Sequence, residues 1–443
     1  MRDLRFDFDG RRRLLLSTHA DTVFILPGAP RARRAHDVEH RYRPDSELFY
    51  LTGWTGPDSL ALLGLSAGKP RLVLFVPERD PEAELWTGPR PGLEDAIRDH
   101  GADEAHPIGE LTERLPALLV GARTLAYALG RDRASDDLVL GALGAARTLA
   151  NRQGRPCPGD VRFPEQLLGA LRVSKDEQEL AAMRRACSTS AAGHLAAIRA
   201  TRPGLFERDL EAVLELTFRR RGAAGAASPC IVAGGANATT LHYDANEDPL
   251  RPGELVLVDA GAEEERYAGD ITRTFPVGGR FTPLQRKVYK VVSRAQREAK
   301  GAVRPGATLG QIHEVATLHL LEGLCSLGVL AGEPEKLITQ GAHRPFYPHR
   351  TSHWLGLDVH DPGPSAPGEP DPPLAPGMVL TVEPGLYFPA GSDGLPPGLA
   401  GLGIRLEDDL IVTPDGSETL TAEVPLEPDD LEDLVGSGPL PPP

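Results

Sequence analysis

PGELVLVDAG, Pro252–Gly261, returns further along the chain as PGMVLTVEPG, Pro376–Gly385. In each copy a Pro-Gly turn opens an apolar strand that ends on an acid, Asp259 or Glu383, with glycine two residues on. An earlier pair keeps the same order. RPG at Arg202–Gly204 leads into the helical stretch DLEAVLELTFRRRG, and RPG at Arg304–Gly306 leads into LGQIHEVATLHLLEGL. Ordered self-similarity of this kind reports on architecture. It predicts two related αββ halves, differing by insertions and facing each other, with an acidic site at their junction.

Working outward, the 443-residue chain divides near residue 170. Upstream, TVFIL (Thr22–Leu26), LALLGL (Leu60–Leu65), RLVLFVP (Arg71–Pro77) and TLAYALG (Thr124–Gly130) read as strands. LTERLPALLV (Leu111–Val120) reads as a helix. Strands alternating with helices predict an α/β N-terminal domain over 1–170. NRQGRPCPGDVRFP (Asn151–Pro164) reads as a linker. Ser174 with Glu177 fits a capping box that opens a long helix. The α+β C-terminal domain, 171–443, then carries the pseudo-twofold internal repeat. Its acidic, Pro-rich tail is expected to fray from about residue 427.

Composition narrows the function. There are 63 acidic against 48 basic residues, a net charge of −15, which argues against nucleic acid or an anionic membrane as partner. No apolar run reaches the 18 or so residues of a membrane span. The start, MRDLRFDFDGRRRLLLSTHAD, turns polar too soon after its three leucines for a signal peptide. Cys157, Cys187, Cys230 and Cys325 are scattered without CxxC spacing, so a reducing, cytoplasmic setting is expected.

Four acids sit inside or beside apolar strands: Asp259, Asp270 in YAGDITRTF, Glu383, and Glu407 in GIRLEDDLIV. A lone carboxylate there costs several kcal/mol unless it is neutralised, paired or metal-bound. His242 lies in TTLHYD, and His349, His353 and His360 lie in PHRTSHWLGLDVHD. His313 opens HEVAT rather than HExxH, so the helical zinc-peptidase pattern fails. Oxygen-rich ligation with an imidazole suits two divalent ions, Mn²⁺ first, with Co²⁺ or Zn²⁺ as alternatives. The chemistry expected of such a site is metal-assisted hydrolysis.

HYDANE, LVDAG, YAGDITRTFPV, SHWLGLDVHD, GMVLTVEPG and GIRLEDDLIV together resemble the M24 metallopeptidases of the pita-bread fold, closest to the aminopeptidase P (Xaa-Pro aminopeptidase) branch. RYRPDSELFYLTGW (Arg41–Trp54) resembles that branch's N-terminal domain. The resemblance implies hydrolysis of an N-terminal Xaa-Pro bond by a metal-bridging hydroxide. It implies Asp259, Asp270, His353, Glu383 and Glu407 as ligands of two metal ions, with Glu383 also the general base. His242 and His360 would contact substrate and stabilise the transition state, and His349 would be a further pocket histidine. Arg405 would steady the ligand carboxylates. Tyr387 and Trp354 read as packing. The ELW segment carrying Trp86 implies a homo-oligomer, a dimer or tetramer.

One departure concerns specificity. The family's HGxSH is His349-Arg350-Thr351-Ser352-His353 here. Arg350 either faces solvent or contacts a substrate carboxylate, which keeps a dipeptidase (prolidase) or carboxypeptidase-like preference open. A binding module that has lost its metal is a non-enzyme alternative, opposed by the complete ligand set. Gly64-Leu-Ser-Ala-Gly68 matches GxSxG in form, but it joins two strands rather than the strand and helix of a nucleophile elbow.

Overall fold

The computed structural model describes residues 6–66, 68–365 and 368–440, and these form two compact units, 1–171 and 172–443. No helix among the described residues is long and apolar enough to cross a membrane.

The first unit is built on a six-stranded mixed sheet. Its order is Glu104–Pro107, Lys69–Val76, Leu60–Ser66, Thr22–Pro27, Thr124–Ala126, Asp160–Arg162. The three central strands pair antiparallel and the outer ones parallel. Parallel neighbours need a crossover: Leu93–Arg98 lies in the one before Glu104–Pro107 and Arg133–Gln153 in the one before Asp160–Arg162, while Leu111–Leu119 connects Glu104–Pro107 to Thr124–Ala126. The apolar faces of the latter two helices bury Leu115, Leu119, Val139 and Ala146 against Ile25, Leu62 and Phe75 of the sheet. Ser66 pairs with Lys69, so the GxSxG segment is a hairpin, with Ala67 outside the described residues.

Two local expectations change here. The strand expected at 124–130 stops at Ala126. The stretch expected as a linker finishes a helix up to Gln153, which Gly154 caps in the left-handed region, and then adds Asp160–Arg162 as an edge strand. A free sheet edge can recruit even a Pro- and Gly-rich segment, because pairing there needs only backbone groups.

The second unit shows the internal repeat. Helices Glu177–Ala200 and Glu207–Arg221 form one pair, Pro283–Ala302 and Leu309–Ser326 the other. Strand Leu255–Asp259 lies between Ile231–Gly234 and Thr272–Pro276, while Val379–Val382 pairs with Asp408–Thr413. The repeated glycines take the same backbone state in both copies: φ is +92° at Gly204 and +85° at Gly306, +83° at Gly253 and +88° at Gly377. L side chains rarely adopt that conformation, so RPG and PG recur because glycine is needed at each turn. Phe218, Val256, Phe275, Tyr289, Leu320 and Phe388 belong to the core of this unit.

The capping box opens the long helix two residues later than expected. Asp176 accepts from the backbone N–H groups of Gln178 and Glu179, and Glu179 accepts from Asp176 N–H. Ser174 and Lys175 stay extended instead. Ser174 bridges to Met378, Lys175 N–H donates to Gly377, and the buried Lys175 ammonium sits 3.5 Å from Asp361. The tail also departs from expectation. Pro428–Leu434 is a helix whose Leu431 is fully buried, and Glu432 accepts from Phe281 N–H while pairing with Arg280 and Arg286. Residues 441–443 lie outside the described residues.

His194, fully buried in the helix Glu177–Ala200, gives this unit a pH-dependent stability term. Its Nε2 lies 3.0 Å from the Ala260 carbonyl, and Nδ1 has no hydrogen-bond partner. Burial holds the imidazole down at about 4, against 6.5 in the unfolded chain. Between those values the folded state binds fewer protons than the unfolded one, so stability rises with pH. A contribution on the order of 3 kcal/mol is present above the unfolded value and is lost as pH falls through the folded one. His194→Gln is therefore expected to flatten the acid limb of urea-unfolding stability between those two pH values. Parallel acid limbs for variant and parent would refute the assignment.

Candidate active site

The strands of the repeat deliver the acids. Asp259 ends Leu255–Asp259, and its register partner is Thr272, which places Asp270 just before the neighbouring strand. Gly261 lets these segments meet: a Cβ on it would fall 1.5 Å from the Gly269 carbonyl oxygen. Glu383 follows Val379–Val382, and Glu407 lies between Leu402–Arg405 and Asp408–Thr413. Glu407 N–H donates to the Thr272 carbonyl at 3.0 Å, and the Thr272 hydroxyl donates to Glu407 Oε2 at 2.7 Å. The two halves are thus joined beside their acids.

His353 comes from a segment outside the regular elements, tied to strand Val379–Val382. Thr381 N–H donates to the His353 carbonyl, and His353 N–H donates to the Thr381 hydroxyl. Its Nδ1 lies 3.0 Å from the Trp354 carbonyl, which assigns the ring proton to Nδ1 and leaves a lone pair on Nε2. That Nε2 faces Asp270 at 3.6 Å, Glu383 at 3.7 Å and Glu407 at 3.9 Å. Burial keeps this imidazole neutral at pH 7 by lowering it to about 4.

The carboxylates respond to one another. Burial, then the charge of Asp259 and other nearby acids, pushes Asp270 well above the usual carboxylate range. Burial, then Asp270 and Glu383, does the same to Glu407. Burial raises Glu383 to about 8, against the pull of Arg405. Donor atoms of Asp270, His353 and Glu407 lie within 4.8 Å of one another. Ligands about 2.1 Å from one divalent cation sit roughly 3–3.5 Å apart, so the spacing is close to that of a coordination shell. Crowded carboxylates with an unprotonated imidazole nitrogen among them are a donor set that a divalent cation fits and that suits little else.

Arg405 is buried and its fork is used. Nη2 donates to Asp259, Nη1 to the Tyr387 hydroxyl at 3.0 Å, and Nε to the Thr272 hydroxyl at 3.2 Å. It braces Asp259 directly and Glu407 through Thr272. The Tyr387 hydroxyl also lies 2.8 Å from His349 Nε2, so this tyrosine, read from the sequence as packing, is part of the site's hydrogen-bond network. Trp354 does pack, against Leu380 and Met378. His349 Nδ1 lies 2.8 Å from the Arg350 carbonyl, and burial lowers the ring to about 4.

His242 and His360 make no hydrogen bond within the protein among the described residues, so their ring nitrogens are open to a ligand. Each sits on an anchored loop. Near His242, the buried Glu207 carboxylate accepts from Gly234 N–H, Asn237 Nδ2, the Tyr243 hydroxyl and Asp248 N–H. Beside His360, the buried Asp361 pairs with Arg172 and with Lys175. Behind Asp270, the buried Asp409 accepts from Asp270 N–H and from the Cys187 thiol. None of these supports was selected from the sequence, because a buried acid and a surface acid look alike there. Arg350 is 66% exposed and lies 3.5 Å from Asp371.

All ten residues selected from the sequence line one cleft of about 280 Å³: Asp259, Asp270, His353, Glu383, Glu407, His242, His349, Arg350, His360 and Arg405. Leu241 and Ser352 complete it.

Comparison with known proteins agrees with this geometry. The model of metallopeptidase family M24 matches residues 181–414, and that of the aminopeptidase P N-terminal domain matches residues 8–127. The chain is 38% identical to the Xaa-Pro aminopeptidase of Escherichia coli, covering 97% of this chain and 98% of the relative. It is 34% identical to human Xaa-Pro aminopeptidase 3, covering 94% of this chain and 81% of that one. Among solved structures it resembles Pseudomonas aeruginosa aminopeptidase PepP, with TM-score 0.92 and 41% identity over 97% of this chain and 98% of that one. Zinc-substituted E. coli aminopeptidase P in complex with product matches at TM-score 0.91 and 38% identity over 97% of each chain. The fold is accordingly an α/β N-terminal domain followed by an α+β pita-bread domain, and the chain belongs to metallopeptidase family M24.

Proposed function

We propose that this chain is an Xaa-Pro aminopeptidase that releases the residue preceding proline at the N-terminus of a peptide. The convergence of ten residues, dispersed from His242 to Glu407, on one cleft carries this reading. The resemblance over both domains supports the choice of substrate. In this reading Asp259, Asp270, His353, Glu383 and Glu407 hold two divalent cations, Mn²⁺ by preference for a carboxylate-dominated donor set, with Co²⁺ or Zn²⁺ as alternatives. Bound cations of this kind polarise the scissile carbonyl and lower the pKa of water towards neutral.

The chain's own residues supply the rest. Glu383, which faces His353 at 3.7 Å and His349 at 3.6 Å, accepts a proton from the attacking water and returns it to the departing proline nitrogen. His242 and His360 offer ring N–H groups to the carbonyl oxygen as negative charge develops there. His349 has both nitrogens engaged, so its part is to orient Tyr387 and, through it, Arg405. Proline lacks an amide hydrogen and restricts the residue before it, so a site for this bond recognises the carbonyl and the amino terminus rather than a peptide N–H.

We read the enzyme as a cytoplasmic homo-oligomer. All four cysteines are free, which suits a reducing compartment. Leu85 and Trp86 stand 84% and 86% exposed on the helix Pro81–Thr87, an apolar pair suited to a second copy.

Product analysis by mass spectrometry tests the function. With Mn²⁺-loaded enzyme, Xaa-Pro-Yaa and longer Xaa-Pro peptides are expected to lose residue one, and a chelator to stop the reaction. Cleavage of the Xaa-Pro dipeptide alone would replace this reading with a prolidase. Release from the C-terminus would reverse the substrate polarity.

A further inference from the structure

We propose that Arg350 reads a carboxylate on the substrate beyond proline, which gives this cleft a preference for peptides that carry one there. The inference rests on the Xaa-Pro reading above and adds a specificity determinant to it.

Among the described residues two arginines line the cleft, and they differ in how far their donors are committed. Arg405 is 5% exposed and its donors are committed to Asp259, Tyr387 and Thr272. Arg350 is 66% exposed and its side chain makes a single ion pair, 3.5 Å from Asp371. An exposed pair of that length contributes little, so an incoming carboxylate can displace it. The guanidinium fork suits such a group, because it can donate two parallel hydrogen bonds.

The backbone places this cation with care. The Arg350 carbonyl lies 2.8 Å from His349 Nδ1, and Thr351 accepts Glu383 N–H at its own carbonyl. Arg350 is therefore held between a pocket histidine and the segment that positions Glu383. Asp371 carries the facing charge; Asp361, ten residues earlier, is buried against Arg172 and Lys175. A substrate carboxylate entering the cleft meets Arg350 as the available cation among the described lining residues, and Asp371 competes for it.

The ligand group has two sources, the free C-terminus of a tripeptide or an acidic side chain after proline. The test compares kcat/KM for Xaa-Pro-Leu as free acid, Xaa-Pro-Leu-amide and Xaa-Pro-Asp-amide in the Mn²⁺-loaded parent, Arg350→Gln and Asp371→Asn. The parent is expected to favour the free acid over the amide about tenfold. Arg350→Gln should bring that ratio close to one, and Asp371→Asn should raise it above the parent's by removing the competitor. A matching preference for the Asp peptide assigns the carboxylate to a side chain, and its absence assigns it to the C-terminus. One common ratio in all three proteins overturns the role of Arg350 and leaves the Xaa-Pro reading standing. Failure of the parent to cleave any of the three peptides after residue one overturns that reading itself. Asp371 is a partly exposed loop residue, so the second variant decides the matter should the first fold poorly.

Discussion

Glu407→Gln is expected to abolish metal uptake and to cost at least about a thousandfold in kcat/KM, the scale associated with losing the groups that stabilise charge in a hydrolytic site. The reason is positional. Glu407 is almost completely buried, receives the Thr272 hydroxyl, and faces His353 Nε2 at 3.9 Å alongside Asp270 and Glu383. The same variant should behave oppositely in thermal unfolding. Without metal, burial and the charges of Asp270 and Glu383 disfavour the Glu407 anion, so glutamine relieves that repulsion while keeping an oxygen for Thr272. A gain of about 1 kcal/mol raises Tm by roughly 2–4 °C in a domain of this size. Chelated parent should therefore melt below chelated variant, and metal should stabilise the parent alone. Calorimetry with and without chelator, joined to metal analysis, checks both signs. Metal binding or turnover retained within tenfold of the parent would remove Glu407 from the ligand set.

Glu383→Ala is the second large effect. Its expected cost is on the order of 10²–10⁴ in kcat, the usual range for a positioned acid–base group, with KM changed a few-fold at most. Glu383 is set apart from the other acids by its surroundings. It faces His353 at 3.7 Å and His349 at 3.6 Å, and Arg405 draws its pKa down while burial holds it at about 8. Glu383 thus stands between the two histidines, whereas Asp259 is committed to Arg405. Steady-state kinetics on an Xaa-Pro tripeptide separates the two parameters. A rise confined to KM, with kcat kept, would make Glu383 a binding group and leave the base unassigned.

Much of this site was legible because it is periodic. Acids that close apolar strands are rare enough to notice, and Asp259 and Glu383 occur at matching places in the repeat. The turn glycines share one backbone conformation in both halves, which is why the repeat survives in sequence. Supporting residues left no such trace. Tyr387 looks like any core aromatic until its hydroxyl is found between His349 and Arg405. The helix start was misplaced by two residues because SKDEQE holds two overlapping capping boxes, Ser174 with Glu177 and Asp176 with Glu179, and the structure uses the later one. The tail reads as polar and Pro-rich, yet Leu431 and Glu432 find partners on distant elements.

The sequence by itself determined the two-part organisation, the repeated strand-and-acid order, and the residue types of the candidate metal site. These follow from short-range patterns of burial, turn geometry and side-chain chemistry. Only the tertiary structure decided which nitrogen of His353 is bare, which arginine is committed and which is available, and which acids are anchors. Those facts depend on hydrogen bonds between residues far apart in the chain: Arg405 meets Asp259 across 146 positions, Glu407 meets Thr272 across 135, and Arg172 meets Asp361 across 189. A donor's state is set by the partner that packing brings to it, and packing is a property of the whole fold.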